Sequence, residues 1–121
     1  RLAGARPVEV GVVNRCSEGE LRHELERGHV AAIVHVESHH TVRFGWVPLA
    51  RVAALAHEFG VAVIVDGAAQ DLRLRELIAD GADIVITSAH KFLCSTTGVL
   101  SPGARISSTP CICRTAASVV R

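Results

Sequence analysis

Short apolar runs alternate with helix-like segments through the middle of the chain, and this alternation restricts the fold more than any other feature. Three runs, at 30–36, 61–65 and 83–87, are predicted strands. The second is apolar throughout, as expected for a strand that is covered on both faces. Apolar residues at helical spacing predict helices over 48–59 and 74–78. Strands that alternate with helices favour an α/β fold with a parallel sheet and right-handed crossovers.

The N-terminal part extends the same pattern by one strand and one helix. Residues 7–13 form a β-branched run that predicts a strand. Ser17 followed by Glu20 is the capping-box spacing, in which each side chain binds a free backbone N–H of the other residue. Leu21 and Leu25 then fall on one face of the predicted helix.

Composition limits the classes of function. The 121 residues are 49% apolar and 21% charged, which is typical of a globular protein, and no apolar run reaches the length of a membrane span. A net charge of +1 gives no electrostatic argument for nucleic-acid binding. The four cysteines include no C-x-x-C pair, so a reduced, cytoplasmic protein without a cysteine metal site is the simplest interpretation.

Two opposite charges follow neighbouring predicted strands. Asp66 ends the run at 61–65, and Lys91 closely follows the run at 83–87. Both then lie at the carboxyl edge of the sheet, where open α/β sheets bind ligands. A partly buried lysine there has the lowered pKa that a Schiff base with pyridoxal 5'-phosphate (PLP) requires, and a carboxylate there keeps the pyridine nitrogen protonated. The alternatives are a surface lysine and an aspartate that caps the next helix.

Other residues of the same loops are candidates for cofactor contacts. Ala68 is small enough for a ring to rest against, and Gln70 has an amide that reaches the phenolate oxygen of PLP. Ser88 and His90 supply a hydroxyl and an imidazole beside Lys91, suited to the cofactor phosphate. The alternatives are a solvated helix residue for Gln70 and a loop-positioning role for His90.

Histidines also follow the run at 30–36. His39 and His40 lie on the same predicted edge and are candidates for contact with a substrate carboxylate or the cofactor, the alternative being an exposed polar loop. The other histidines share no common spacing, so no site and no metal centre is assigned to them: His23, His29, His35 and His57.

Taken together, these motifs resemble the fold-type I PLP enzymes. The resemblance rests on three segments: Asp66-x-Ala68-x-Gln70, Gly81-Ala82-Asp83-Ile84-Val85 and Ser88-x-His90-Lys91-Phe92-Leu93. Residues 8–15, VEVGVVNR, are similar to a "VEVGTTNR" segment of the group around bacterial selenocysteine synthase and D-glucosaminate-6-phosphate ammonia-lyase. The resemblance implies the large domain of the aspartate aminotransferase-like fold, incomplete at both ends, with residues 1–100 as its central part.

The same resemblance implies a lyase or transferase that acts at the β-carbon of a small amino-acid-like substrate. Lys91 would carry PLP and remove the α-proton, and Asp66 would pair with the pyridinium. A homodimer or higher homo-oligomer is expected at full length, with the isolated fragment inactive. Two alternatives stay open: an enzyme similar to class V aminotransferases and cysteine desulfurases, and a truncated, non-catalytic remnant. A tRNA-bound substrate also stays open, since segments absent here could bind it.

The resemblance ends shortly after the lysine. Residues 94–103 differ from the glycine-rich loop that the family places there, and residues 101–121 show neither helical nor strand periodicity. We interpret 101–121 as an irregular tail. The hypothesis for its composition is a frame shift of the coding sequence near residues 97–100, which the nucleotide sequence would test.

Overall fold

The structure, a computed structural model, describes residues 6–12, 15–38, 46–69, 73–92 and 99–100, with the backbone alone at 90, 92, 99 and 100. Its helices are α1 (Glu18–Glu26), α2 (Leu49–Glu58), α3 (Leu74–Ala79) and α4 (Ala89–Phe92). Its strands are β1 (Ala32–Val36), β2 (Ala62–Asp66), β3 (Ile84–Ser88) and β4 (Val99–Leu100). Each of β1, β2 and β3 overlaps its predicted run. None of the described helices has the length and apolar character needed to cross a membrane.

The strands form one sheet in the order β1-β2-β3-β4. The first three are parallel, with Val36 beside Asp66 and Asp66 beside Ile86. β4 runs antiparallel to β3 and pairs Val99 with Ser88. The predicted α/β fold with a mostly parallel sheet is therefore confirmed, and β4 is an antiparallel addition to it.

One face of the sheet carries the hydrophobic core. The strand order follows the chain order, so successive right-handed crossovers place α2 and α3 on the same face. On that face the strands present Ile33, Val63, Val65 and Val85, which pack with buried side chains of the helices. These helix residues are Leu21, Leu25, Leu49, Val52, Ala53, Leu55, Ala56 and Leu77. The core depends on aliphatic side chains, as the low aromatic content requires.

The opposite face of the sheet is more accessible. Its residues alternate with the core residues along each strand, because successive side chains of a strand point to opposite faces. Val36 on this face is 53% exposed, and Ala62 is exposed as well. Ile64 and Ile86 are half-buried there. We call this surface the open face.

The segment predicted as a first strand, residues 7–13, is not a strand in its described part, and that prediction is wrong. Among the described residues, 7–12 have no neighbouring strand, and their one pairing is an isolated bridge between Val12 and Arg15. Gly11 precedes this turn with φ +85°, and a Cβ there would collide with the carbonyl oxygen of Arg15. The glycine of the VEVGVVNR segment thus serves a close backbone approach.

The capping box of α1 forms as the sequence predicts. The hydroxyl of Ser17 accepts a hydrogen bond from the Glu20 N–H at 3.2 Å, and the Glu20 carboxylate accepts one from the Ser17 N–H at 2.8 Å. Leu21 and Leu25 are buried against the core. The capped end therefore fixes where α1 starts and which of its faces meets α2.

Replacing Ser17 with alanine is expected to lower the free energy of unfolding by about 1 kcal/mol, because the Glu20 N–H loses its acceptor. Urea unfolding followed by circular dichroism measures the change. Ser17→Thr is the matched control, since it keeps a hydroxyl at the cap and should retain most of the stability. Equal losses in the two variants would contradict a role for the hydroxyl.

Candidate active site

The carboxyl edge of the sheet brings Asp66 and Ser88 to the same face. Asp66 is the last residue of β2 and lies beside Ile86 of β3. Ser88 comes two residues after Ile86, so its side chain points to the same face as that of Asp66. This is the open face, where no helix of the core layer lies. A ligand at this edge can therefore reach both side chains.

Asp66 keeps one carboxylate oxygen available. Its Oδ1 accepts a hydrogen bond from the Ala68 N–H at 3.0 Å, which fixes residues 66–68 in a turn that we call the Asp66 turn. Oδ2 has no hydrogen bond within the described ranges, and the side chain is half-buried. The alternative of a cap on the next helix is wrong, because α3 begins only at Leu74. The free oxygen is the acceptor that a protonated ring nitrogen requires.

Lys91 lies in α4, the single helical turn that follows β3. It is exposed and forms no ion pair with the described residues. The expectation of a partly buried lysine is therefore wrong for this structure, since the residue sits on a helical turn beyond the strand end. Lys91 is also the only lysine in the sequence, and the other twelve of the thirteen basic residues are arginines. Surface positions elsewhere thus carry arginine.

The remaining candidates divide into two groups. Ser88 is 8% exposed and Ala68 is half-buried, so both lie at the edge with Asp66. The backbone of His90 belongs to α4 beside Lys91. Outside the described residues lie Gln70, His39 and His40. Among the described residues, no group of three or more His, Cys, Asp and Glu side chains is placed to hold a metal ion.

A buried polar cluster at the same end of the sheet was not found from the sequence. His35 of β1 is 7% exposed, and Glu37, just after that strand, is 6% exposed. Their Nε2 and Oε2 atoms lie 3.5 Å apart, and the His35 ring stacks on Trp46 with centroids 4.9 Å apart. The alternation of β1 already places His35 on the face of Ile33, which is the signal that could have found it. The contact with Trp46 carries no such local signal.

We expect His35 to make the protein less stable in mild acid. Burial lowers the pKa of His35 from its ordinary 6.5, and the nearby Glu37 only partly opposes this. The unfolded chain therefore binds a proton near pH 6.5, while the folded chain binds it only at lower pH. The free energy of unfolding should fall as pH decreases from about 6.5 to the lowered value.

Urea midpoints at about pH 7.5 and about pH 5.5 measure this loss. His35→Gln should reduce the difference between the two midpoints, because the glutamine side chain does not titrate. His23→Gln is the control, since His23 is exposed on α1. The expectation fails if both variants keep the full acid sensitivity of the natural sequence.

Known proteins with similar sequences are enzymes of greater length. The chain is 43% identical over 93 residues to a 5'-C-glycyluridine monooxygenase-decarboxylase from Streptomyces sp, covering 76% of this chain and 23% of that protein. It is 36% identical over 102 residues to the D-glucosaminate-6-phosphate ammonia lyase of Salmonella typhimurium (strain 14028s / SGSC 2262), covering 84% and 27%. The chain thus spans about a quarter of each relative.

A solved structure shows the same fold. The structure of a D-glucosaminate-6-phosphate ammonia-lyase superposes with a TM-score of 0.69 at 32% identity, over 81% of this chain and 26% of that one. Residues 3–113 match the family described as Cys/Met metabolism PLP-dependent enzyme. The fold-type I resemblance drawn from the motifs is therefore confirmed. With its sheet edge, its sequence relatives and its fold in agreement, this chain belongs to the Cys/Met metabolism PLP-dependent enzyme family.

Proposed function

We propose that the chain is the central, cofactor-binding part of a PLP-dependent lyase or transferase of the selenocysteine synthase-like group. The observation that carries the proposal is the Asp66 carboxylate, which keeps one oxygen available on the open face, at the sheet edge from which β3 leads into Lys91. The similarity to the ammonia-lyase in both sequence and fold supports this group. The substrate would be a small amino-acid-like molecule, and the full-length protein a cytoplasmic homo-oligomer.

The described residues fit PLP. A cationic ring nitrogen needs a carboxylate with a free oxygen, which Asp66 provides without a competing ion pair among the described residues. Covalent attachment needs a primary amine, and Lys91 supplies the only side-chain amine of the chain. We propose that the Ser88 hydroxyl, on the face of Asp66, would hold the cofactor's polar groups. The small side chain of Ala68, in the Asp66 turn, would then lie against the ring.

The proposal gives Asp66 and Lys91 different chemical roles. When bound, PLP supplies an electron sink for the carbanion that forms at the substrate α-carbon. Asp66 keeps the ring nitrogen protonated, because its charge stabilises the cation beside it. Nζ of Lys91 would hold the cofactor and would also be the base that accepts the α-proton. A substituent on the substrate β-carbon would leave with the electron pair of its own bond as the α- and β-carbons become doubly bonded.

Product analysis tests the proposal. The full chain with PLP would receive D-glucosaminate-6-phosphate in one reaction and L-cysteine in another, and ammonia and alanine would be measured. Ammonia from the first substrate, lost in Asp66→Ala, supports the proposed group. Alanine from cysteine alone would instead favour the alternative similar to cysteine desulfurases. Cofactor binding with neither product would favour the non-catalytic remnant, and both of these results overturn the proposal.

A further inference from the structure

The burial of Glu37 needs an explanation, because the residue directly follows an edge strand. Its neighbour Val36 is 53% exposed, whereas Glu37 is 6% exposed. A carboxylate in such a place loses hydration, and the loss must be offset by nearby polar groups. A leucine would fill the same space without that cost. The glutamate therefore performs a task that an apolar side chain would not.

His35 is the ionisable group that approaches Glu37 from its own strand. Nε2 of His35 lies 3.5 Å from Oε2 of Glu37, a distance for an ionic contact, and within the described residues it is a buried atom without a hydrogen bond. The ring is held against Trp46, so its orientation toward Glu37 is set by packing. From the side of α3, the charge of Glu37 contributes to raising the pKa of Arg73, after the larger contribution of Glu76.

The backbone of Glu37 reaches the proposed cofactor contact directly. Its N–H donates to the carbonyl oxygen of Asp66 at 3.0 Å, while the Asp66 carboxylate accepts from the Ala68 N–H. Asp66 is therefore held from both sides, through its carbonyl by Glu37 and through its side chain by its own turn. Because β1 is an edge strand in the described sheet, its end has no second neighbour to fix it. The buried side chain of Glu37 directly follows that end.

We propose that His35 and Glu37 form a positioning pair that holds the Asp66 turn in place at the carboxyl edge of the sheet. The pair lies on the core face and Asp66 on the open face, so it acts through the backbone and touches no cofactor. The importance of the pair for catalysis rests on the proposed function. The positioning of the Asp66 turn is independent of that function, and its test requires no PLP.

Amide hydrogen exchange measured by NMR tests the pair in the full chain. The readouts are the Ala68 and Glu37 amides, which bind Asp66, each divided by the rate of the Val65 amide in the middle of β2. This ratio separates local loosening from a general loss of stability. His35→Phe keeps a ring against Trp46 but removes the nitrogen that faces Glu37. His35→Gln keeps an N–H donor but removes the ring.

In His35→Phe the two ratios are expected to rise by about tenfold, because a buried charge loses one contact. In His35→Gln they should stay within about twofold of the natural sequence. Unchanged ratios in His35→Phe, or equal increases in both variants, would overturn the proposal in favour of packing alone. Should His35→Phe not fold, Glu37→Gln keeps the volume and removes the charge. A smaller rise there supports the pair, and no rise overturns it.

Discussion

Replacing Lys91 with alanine is expected to abolish the covalent attachment of PLP to this chain. Lys91 carries the only side-chain amine in the sequence, so the N-terminal amine is the one other group that can react. Incubation with PLP, reduction with borohydride and peptide mass spectrometry locate the attached cofactor. We expect modification at residue 91 in the natural sequence and a decrease of about tenfold or more in Lys91→Ala.

A transplanted lysine provides the matched control. Arg22 is exposed on α1 and pairs with Glu58 at the end of α2, from which the chain enters the amino end of β2. Arg22→Lys combined with Lys91→Ala therefore reports the reactivity of an ordinary surface lysine at the other end of the sheet. Lys91→Arg keeps the charge at residue 91 and removes the amine nucleophile, and it should behave like alanine. If the transplanted lysine is labelled as efficiently as Lys91, the assignment of Lys91 as the cofactor lysine is wrong.

The second large effect is expected at Gly81, between α3 and β3. Its φ of +104° lies in the region that side chains disfavour, and an added Cβ would lie 2.6 Å from the Cβ of Ala53 on α2. Gly81→Ala therefore combines backbone strain with overpacking against Ala53 of α2. We expect the free energy of unfolding to fall by about 2–4 kcal/mol. Urea unfolding at neutral pH measures it.

Two other glycines distinguish the effect of backbone strain from that of overpacking. Gly60 has φ +68° but nothing within 4 Å of an added Cβ, so Gly60→Ala should cost only the strain, about 1 kcal/mol. Gly19 lies in α1 with open space around it, and Gly19→Ala should stabilise by about 0.5 kcal/mol. Equal losses at Gly81 and Gly60 would show that the contact with Ala53 relaxes at no cost. Adding Ala53→Gly to Gly81→Ala should recover part of the loss.

Local signals in the sequence were enough for most of the fold. The capping box at Ser17, the apolar run before Asp66 and the helical spacing over 74–78 each act over a few residues, so they can be interpreted without knowing the tertiary structure. The strand prediction for residues 7–13 was wrong for the opposite reason. Its β-branched residues are compatible with a strand, but a strand also requires a partner, and the partner is a property of the whole fold.

The candidate site shows the same division. The placement of Asp66 follows from strand order and register, and the sequence predicts it. The exposure of Lys91 depends on what covers α4, and the stacking of Trp46 on His35 joins residues on either side of a segment outside the described ranges. Neither the exposure of Lys91 nor the contact of Trp46 with His35 has a periodic pattern in the sequence. Sequence patterns therefore locate the sheet edge, whereas the contacts that support this edge depend on the tertiary structure.

The pairing of β4 with β3 gives the lysine segment a fixed tether at each end. Ser88 and Val99 are neighbours across the two strands, so both ends of the segment between them are fixed within one strand spacing, about 5 Å. Lys91 belongs to this segment and follows Ser88 by three residues. Fixing a segment at both ends restricts the volume that the amine can explore and raises its effective concentration at the edge that carries Asp66. The two-residue strand beside Ser88 thus limits how far the reactive nitrogen can travel from the sheet edge.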